Sequence, residues 1–383
     1  MTKKFTIYIL FVIASCLASC SRRDYVNTIP ANSTALISVN AIEFVNGNTP
    51  FTTLLAPFAS EDRKELKGID LTKDIYLFET ADGTLGLCAP VGDDYELSEF
   101  LKRMKGLGAV KPLTEKDDVD FYLISESCIL AHSDGAMLAM GPVTGQEAQD
   151  KLIKRMLRYF AQDEETSIRK SMIWEHMQEL SSTMRMVAQA SALPEQMVAS
   201  FTIGSPKGTD PADVLVEAEL SFDDGTLYLD GSTCSYNPNI KQSLQKASQV
   251  YKPLTINWEK MMNDTTLVGV FMNVNGEEFM PHLQTNKALN TMLLGTNAYD
   301  RIKNNHGDLA ILLTPKEGNS LEESFTTRVI NLVSSCAPRN DKLVVAINLK
   351  ALNGTVAKTI SPFLGRINRI IYRLKQSEEE KEK

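Results

Sequence analysis

The chain has 383 residues, of which 43% are hydrophobic and 23% charged, the composition of a folded globular protein and not of a disordered stalk. A formal net charge of −8 argues against general nucleic-acid binding, because neutralising phosphates requires a basic surface. The length suits two ordinary domains better than one continuous core.

Lys3 and Lys4 precede an apolar run over residues 5–14 that only Thr6 and Tyr8 interrupt, the layout of a secretory signal. A membrane-spanning helix needs roughly 20 predominantly apolar residues. Here small residues and then Ser21-Arg22-Arg23-Asp24 end the run first. Leu17-Ala18-Ser19-Cys20 resembles the bacterial lipobox, and Ile13-Ala14-Ser15-Cys16 is a weaker version of it. The resemblance implies cleavage before Cys20, a diacylglycerol on its thiol and a further acyl chain, such as palmitate, on its freed amine. One acyl chain holds a protein marginally, whereas two or three hold it stably. The expected division is a lipoprotein signal peptide (1–19), a lipidated tether (20–32), an N-terminal α+β domain (33–165), a helical connector (166–194), a C-terminal α+β domain (195–375) and a charged tail (376–383).

Residues 35–39 read as a strand, and residues 52–66 show helical periodicity broken at Pro57. A hairpin then joins residues 75–78 to 85–89 through Asp82-Gly83, turn residues suited to positive φ. Asp93, with Glu96 three residues on, caps a helix that repeats Leu97, Phe100, Leu101 and Met104. The same succession recurs over residues 128–131, Ser133-Asp134-Gly135, residues 137–140 and a helix through Leu152, Ile153, Met156, Leu157 and Phe160. A third copy reads over residues 214–222, Asp224-Gly225, 226–236 and 240–247. The expected fold is therefore α+β, with repeated strand-strand-helix modules forming mainly antiparallel sheets covered by helices. Residues 264–270 echo 33–39, so the two halves read as related.

Between the copies, Ile168, Met172, Ile173, Met177, Leu180, Met184, Val187 and Ala188 predict a helical stripe ended by Leu193-Pro194. Late strands are expected at 309–313 and 343–347. Ser361-Pro362 predicts the start of a last helix that buries Phe363, Leu364, Ile367, Ile370, Ile371 and Leu374. Arg366, Arg369 and Arg373 would share one face of it, read as solvated.

Beyond Cys20, the thiols Cys88, Cys128, Cys234 and Cys336 are candidate disulfide partners, and four allow three complete connectivities. Cys88 and Cys128 lie in strand-like apolar runs, which suits buried free thiols equally. No cofactor is expected and no metal site, since His132, His176, His282 and His306 are scattered and neither C-x-x-C nor H-E-x-x-H occurs. His176 among Met172, Met177 and Met184 reads as a methionine-rich core before it reads as a haem or copper site. Two S-x-x-K matches, Ser167 to Lys170 and Ser243 to Lys246, lack the companion K-T-G of penicillin-recognising enzymes. The acidic clusters Asp93-Asp94, Asp117, Asp118 and Asp120, and Asp223-Asp224 read as caps and turns.

Cys20-Ser21, Tyr25-Val26-Asn27 before Ile29-Pro30, residues 34–39, Gly68-Ile69-Asp70-Leu71 and the strand at 75–78 together resemble an envelope lipoprotein family of Bacteroidales, the domain of unknown function 4836 family. That resemblance implies an envelope lipoprotein without an assigned activity, so it carries no catalytic residues over. Surface-exported lipoproteins of that group carry acidic residues after the lipid cysteine, whereas Ser21-Arg22-Arg23 is basic, which favours a periplasm-facing position at the outer membrane. Asp264-Thr265-Thr266 resembles the short O-glycosylation acceptor of the same group, at Thr265.

The expected function is a membrane-anchored, noncatalytic binding or assembly module whose partners are the membrane, through lipid on Cys20, and an envelope protein, with no nucleic acid. The alternatives are a periplasmic carrier of an apolar or lipid ligand, with the methionine-rich connector lining its pocket, and an envelope hydrolase with a dispersed carboxylate or serine site.

Overall fold

A computed structural model describes residues 24–42, 68–194, 198, 202, 204–223, 225–285, 297–314, 326–332, 341–351 and 369–375. The signal, Cys20, the helix expected at 52–66, Cys336 and residues 361–368 lie outside the described residues. No described helix is long and apolar enough to cross a membrane. The chain divides into two compact units after Ser171, and the first strand, β1 (Ser33–Asn40), falls with the second.

The first unit opens inside the stretch expected as tether. A 3-10 turn over Tyr25–Thr28 is capped by Asp24, whose carboxylate accepts from the Val26 amide at 3.1 Å. Tyr25, Val26 and Ile29 are buried, and the Ile168 amide donates to the Ile29 carbonyl at 2.9 Å, tying the start of the unit to its end. Then follow β2 (Asp74–Thr80), β3 (Leu85–Pro90), α1 (Asp94–Gly106), β4 (Val110–Lys116), β5 (Val119–Ile124), β6 (Cys128–Ser133), β7 (Ala136–Gly141) and α2 (Gln146–Phe160). The strands pair antiparallel in the order β2-β3-β7-β6-β5-β4. Two tight hairpins place Asp117 and Asp118 at φ 52° and 59°, and Ser125 and Glu126 at 48° and 60°, the left-handed geometry that matches strand twist. Asp93 caps α1 through the Glu96 amide at 3.0 Å, and Leu97 and Leu101 pack on Leu130, with Tyr122, Ile124 and Met137 around them. Burying each leucine contributes about 1.5–3 kcal/mol. On α2, Leu152, Ile153, Met156 and Phe160 recur at helical spacing and are buried, leaving the opposite face to lysines and arginines.

The second unit contains α3 (Met172–Glu179), β8 (Met184–Gln189), β9 (Leu215–Asp223), β10 (Thr226–Cys234), α4 (Pro238–Ser248), β11 (Tyr251–Lys252), β12 (Val268–Asn275), α5 (Gly276–Thr285), α6 (Asn297–Lys303), β13 (His306–Thr314), β14 (Thr326–Leu332), β15 (Asp341–Asn348) and β16 (Arg369–Lys375). With β1, its sheet runs β14-β13-β12-β15-β16-β10-β9-β8-β1, and β11 also pairs with β12. β10 and β16 are parallel, and the other pairings among its described strands are antiparallel. Trp258, Phe271, Leu254, Ile256, Val344 and Ile371 form its central core. Val216, Ile240 and Leu244 seat α4 on the sheet, the amphipathic helix expected over 240–247. The architecture is thus α+β with a predominance of antiparallel pairing.

Two expectations are corrected. Only Met172–Glu179 of the connector is α-helical, and Met184–Gln189 is a strand hydrogen-bonded to β1 on one side and β9 on the other. Residues 369–375 are likewise strand and not helix, paired parallel with β10 and antiparallel with β15. Arg373 does not lie on a solvated helix face: its guanidinium donates to both Asp230 carboxylate oxygens, at 2.6 and 2.9 Å, and stacks 4.7 Å above the Tyr228 ring.

Candidate functional site

The second unit brings together three chemically distinct side chains that are far apart in sequence. β9 and β10 pair so that Glu217 faces Ser232, and strand alternation places Cys234 on the same face two residues on. α3 packs against β8 and β9, held by buried Ile173 and Met177, and lays His176 over that face. His176 Nδ1 is 2.7 Å from Glu217 Oε1, and the Cys234 thiol donates to the same oxygen at 3.2 Å. Cys234 Sγ lies 3.7 Å from His176 Nδ1, and the Ser232 hydroxyl donates to Glu217 Oε2 at 2.5 Å.

This arrangement fixes the protonation states. The hydrogen bond to Glu217 outweighs burial and raises the His176 imidazole above its ordinary range. Burial pulls the Glu217 carboxyl upward, yet hydrogen bonds from His176, Ser232 and Cys234 together leave it below the usual carboxylate range. Burial, followed by the neighbouring Glu217 charge, pushes the Cys234 thiol well above its ordinary range. A nucleophilic cysteine needs the opposite, a thiolate stabilised by a cation. The trio therefore holds a neutral thiol against an anionic carboxylate.

The first unit carries a different surface. Two open clefts flank Arg155 on α2, lined chiefly by Lys151, Lys154, Arg158, Tyr159 and Gln162. Asp82 is the acidic residue lining both, and Arg155 pairs with it while donating to Thr84 Oγ1 at 3.0 Å. The remaining cations are exposed, with Lys151 bonded at 2.7 Å to an exposed Glu147. The Thr80 hydroxyl, with Arg155 beside it, holds the Asp82 carboxyl well below the usual range. A depressed folded-state pKa stabilises above the unfolded value and is lost as pH falls below it. Asp82→Asn is accordingly expected to cost about 1 kcal/mol near neutral pH, screened because Asp82 is half exposed, with the difference narrowing below about pH 4. Urea unfolding of both proteins across that interval measures it.

Of the residues singled out from sequence, Cys88 is a buried free thiol that donates to the Tyr25 carbonyl at 3.4 Å, pushed up to about 12 by burial. Cys128 is also free, and burial raises its thiol as well. Thr265 is exposed in a turn where its hydroxyl donates to Asn263 Oδ1 at 2.8 Å. Ser167 caps a 3-10 turn while Lys170 bonds Glu165 at 2.9 Å, and Ser243 donates to the Asn239 carbonyl at 2.9 Å, so neither S-x-x-K match assembles a base beside a hydroxyl. His132 is buried between Asp94, at 2.8 Å, and the Tyr122 ring, a clamp between β6 and the start of α1. His176, Glu217 and Cys234 form no sequence motif, since 41 and 58 residues separate His176 from its two neighbours. The local signal for their shared face is the alternation Ser232-x-Cys234 in a strand.

The profile described as Domain of unknown function (DUF4836) matches residues 62–309. No curated protein matches the chain. Among solved structures, crystal form III of TP0453 is similar at a TM-score of 0.37 and 11% identity, covering 60% of this chain and 87% of that one. Crystal form I gives 0.37 and 11% over 61% and 88%, and form IV gives 0.36 and 9% over 55% and 81%.

Proposed function

The chain belongs to the family described as Domain of unknown function (DUF4836), and from that premise we propose that it is a lipid-anchored, noncatalytic binding module of the outer membrane whose first unit takes an anionic lipid headgroup along α2. The observation that carries the proposal is the cationic cleft. Lys151, Lys154, Arg155 and Arg158 line it on a chain of net charge −8, and Arg155 already neutralises its acidic residue. Guanidinium and ammonium groups are the side chains that recognise phosphate. The anchor supports the same reading. Asp24, which caps the turn at Tyr25–Thr28, is four residues after Cys20, so a lipidated Cys20 would hold that turn within a reach of about 14 Å of the headgroup layer.

Three further features belong to this reading. The basic Ser21-Arg22-Arg23 favours the periplasm-facing leaflet, and the exposed Thr265 is open to O-glycosylation. The three successions β2-β3-α1, β6-β7-α2 and β9-β10-α4 are read as copies of one binding-surface module. The alternatives lose support. Ser167 and Ser243, the serines of the two S-x-x-K matches, are engaged in a cap and a helix backbone bond, and the connector buries Ile173 and Met177 in packing before it becomes strand.

The double variant Lys154→Glu, Arg158→Glu tests the proposal. Both side chains are exposed, so the fold is retained, and near an anionic surface each basic residue contributes about 1 kcal/mol. The variant of the chain from Ser21 onward is expected to bind phosphatidylglycerol-containing vesicles at least about ten-fold more weakly. Equal binding by the variant and the unaltered chain would contradict the proposal.

A further inference from the structure

We infer that His176, Glu217 and Cys234 bind zinc. The site lies within the second unit and is independent of the headgroup reading. Among the described residues these three are a set whose ligand atoms, one per residue, all fall within 4.8 Å of one another. Zinc takes imidazole nitrogen and carboxylate oxygen at about 2.0–2.2 Å and thiolate sulfur at about 2.3 Å, so ligands at the corners of a tetrahedron stand roughly 3.3–3.6 Å apart. The observed separations are 2.7 Å between Nδ1 and Oε1, 3.2 Å between Sγ and Oε1, and 3.7 Å between Sγ and Nδ1. Cys234 Sγ is also 4.0 Å from Nε2, so the thiol rests against the imidazole; turning the ring to aim Nδ1 between the other two ligands, and parting it from the carboxylate by about 0.7 Å, opens that triangle to the tetrahedral face.

The surroundings match the ion. Two of the ligands come from adjacent paired strands and the third from a helix packed on them, so the backbone positions are set before any metal arrives. Ser232 donates to Oε2, the carboxylate oxygen not aimed at the other two ligands, which is the orienting bond that a metal-binding carboxylate ordinarily receives. Zn²⁺ replaces two protons, that of the Cys234 thiol and the one His176 Nδ1 shares with Glu217; both leave to solvent, the imidazole stays neutral with its remaining proton on Nε2, and the charges of the dication, thiolate and carboxylate then sum to zero in a half-buried place. Three protein ligands leave a fourth position to solvent, and exposed Glu179 approaches His176 Nδ1 to 3.8 Å. The carboxylate separates zinc from copper(I), which prefers thiolates and thioethers.

Cobalt(II) reports the site optically, because a cobalt-thiolate bond adds a charge-transfer absorption in the near ultraviolet. The chain from Ser21 onward, stripped with a chelator, is expected to develop that absorption at one equivalent of cobalt and to lose it on adding one equivalent of zinc. Cys234→Ser should abolish it with an unchanged unfolding midpoint, whereas Cys88→Ser, Cys128→Ser and Cys336→Ser should keep it. His176→Gln and Glu217→Gln should each weaken zinc binding at least about ten-fold, and Ser232→Ala should weaken it without removing the band. No thiolate absorption, or an absorption that survives Cys234→Ser, would overturn the assignment. Vesicle binding is expected to be the same with and without zinc, so the two proposals fail separately.

Discussion

Cys20→Ser is expected, on the proposed lipidation of that cysteine, to remove the protein from the outer-membrane fraction. The serine hydroxyl cannot form the thioether that carries the diacylglycerol, and without lipid the signal is not cleaved before residue 20. In the proposed lipidation two or three acyl chains, at about 0.8 kcal/mol per buried methylene, would make the anchored form effectively permanent, and the variant should lose that retention. Metabolic labelling with palmitate should fall to background, and the chain should migrate as the longer precursor. The units described from Asp24 onward should keep their unfolding midpoint. A variant that still labels and still fractionates with the outer membrane would place the anchor elsewhere.

Phe271→Ala is expected to have the largest effect on stability. Phe271 is fully buried on β12, where Ala310 of β13 and Val344 of β15 flank it, and Trp258 lies with its ring centre 5.8 Å away. Gly269, two residues earlier on the same face, makes room for the ring: a Cβ there would stand 2.7 Å from Phe271 Cε2. A site so closely fitted cannot collapse around a cavity, and phenylalanine-to-alanine changes in such cores cost about 3–5 kcal/mol. At roughly 2–4 °C per kcal/mol the midpoint of thermal unfolding should fall by about 6–20 °C. Phe271→Leu should recover part of the loss, because it returns much of the buried volume. Equal midpoints for the alanine variant and the unaltered protein would contradict the packing described.

The elements that were legible in the sequence are those whose information is local. The Asp82-Gly83 turn, the Asp93 cap and the stripes of α1, α2 and α4 each carry their own signal, and each forms where expected. Met184, Val187 and Ala188 fit a helical stripe equally well as residues, and a short apolar run does not distinguish helix from strand. What decides their state is the pair of neighbours, β1 and β9, on either side. Ile370, Ile371 and Leu374 follow the same pattern: helical spacing continues through them, but β10 and β15 provide two open edges, and Asp230 captures Arg373. The candidate sites divide likewise. The expectation for α2 covered its apolar stripe alone and not the lysines and arginines opposite it, which the same helical period lays out, whereas the meeting of His176, Glu217 and Cys234 depends on strand register and on how α3 lies across the sheet.

The most direct test of the central claim is the partition of the nonlipidated chain, from Ser21 onward, between solution and vesicles of pure phosphatidylcholine or of phosphatidylcholine with phosphatidylglycerol. A headgroup-binding module should associate with the anionic vesicles, remain in solution with the neutral ones, and release from the anionic ones as salt rises and screens the cleft. Association with neither, or equal association with both, would contradict the claim.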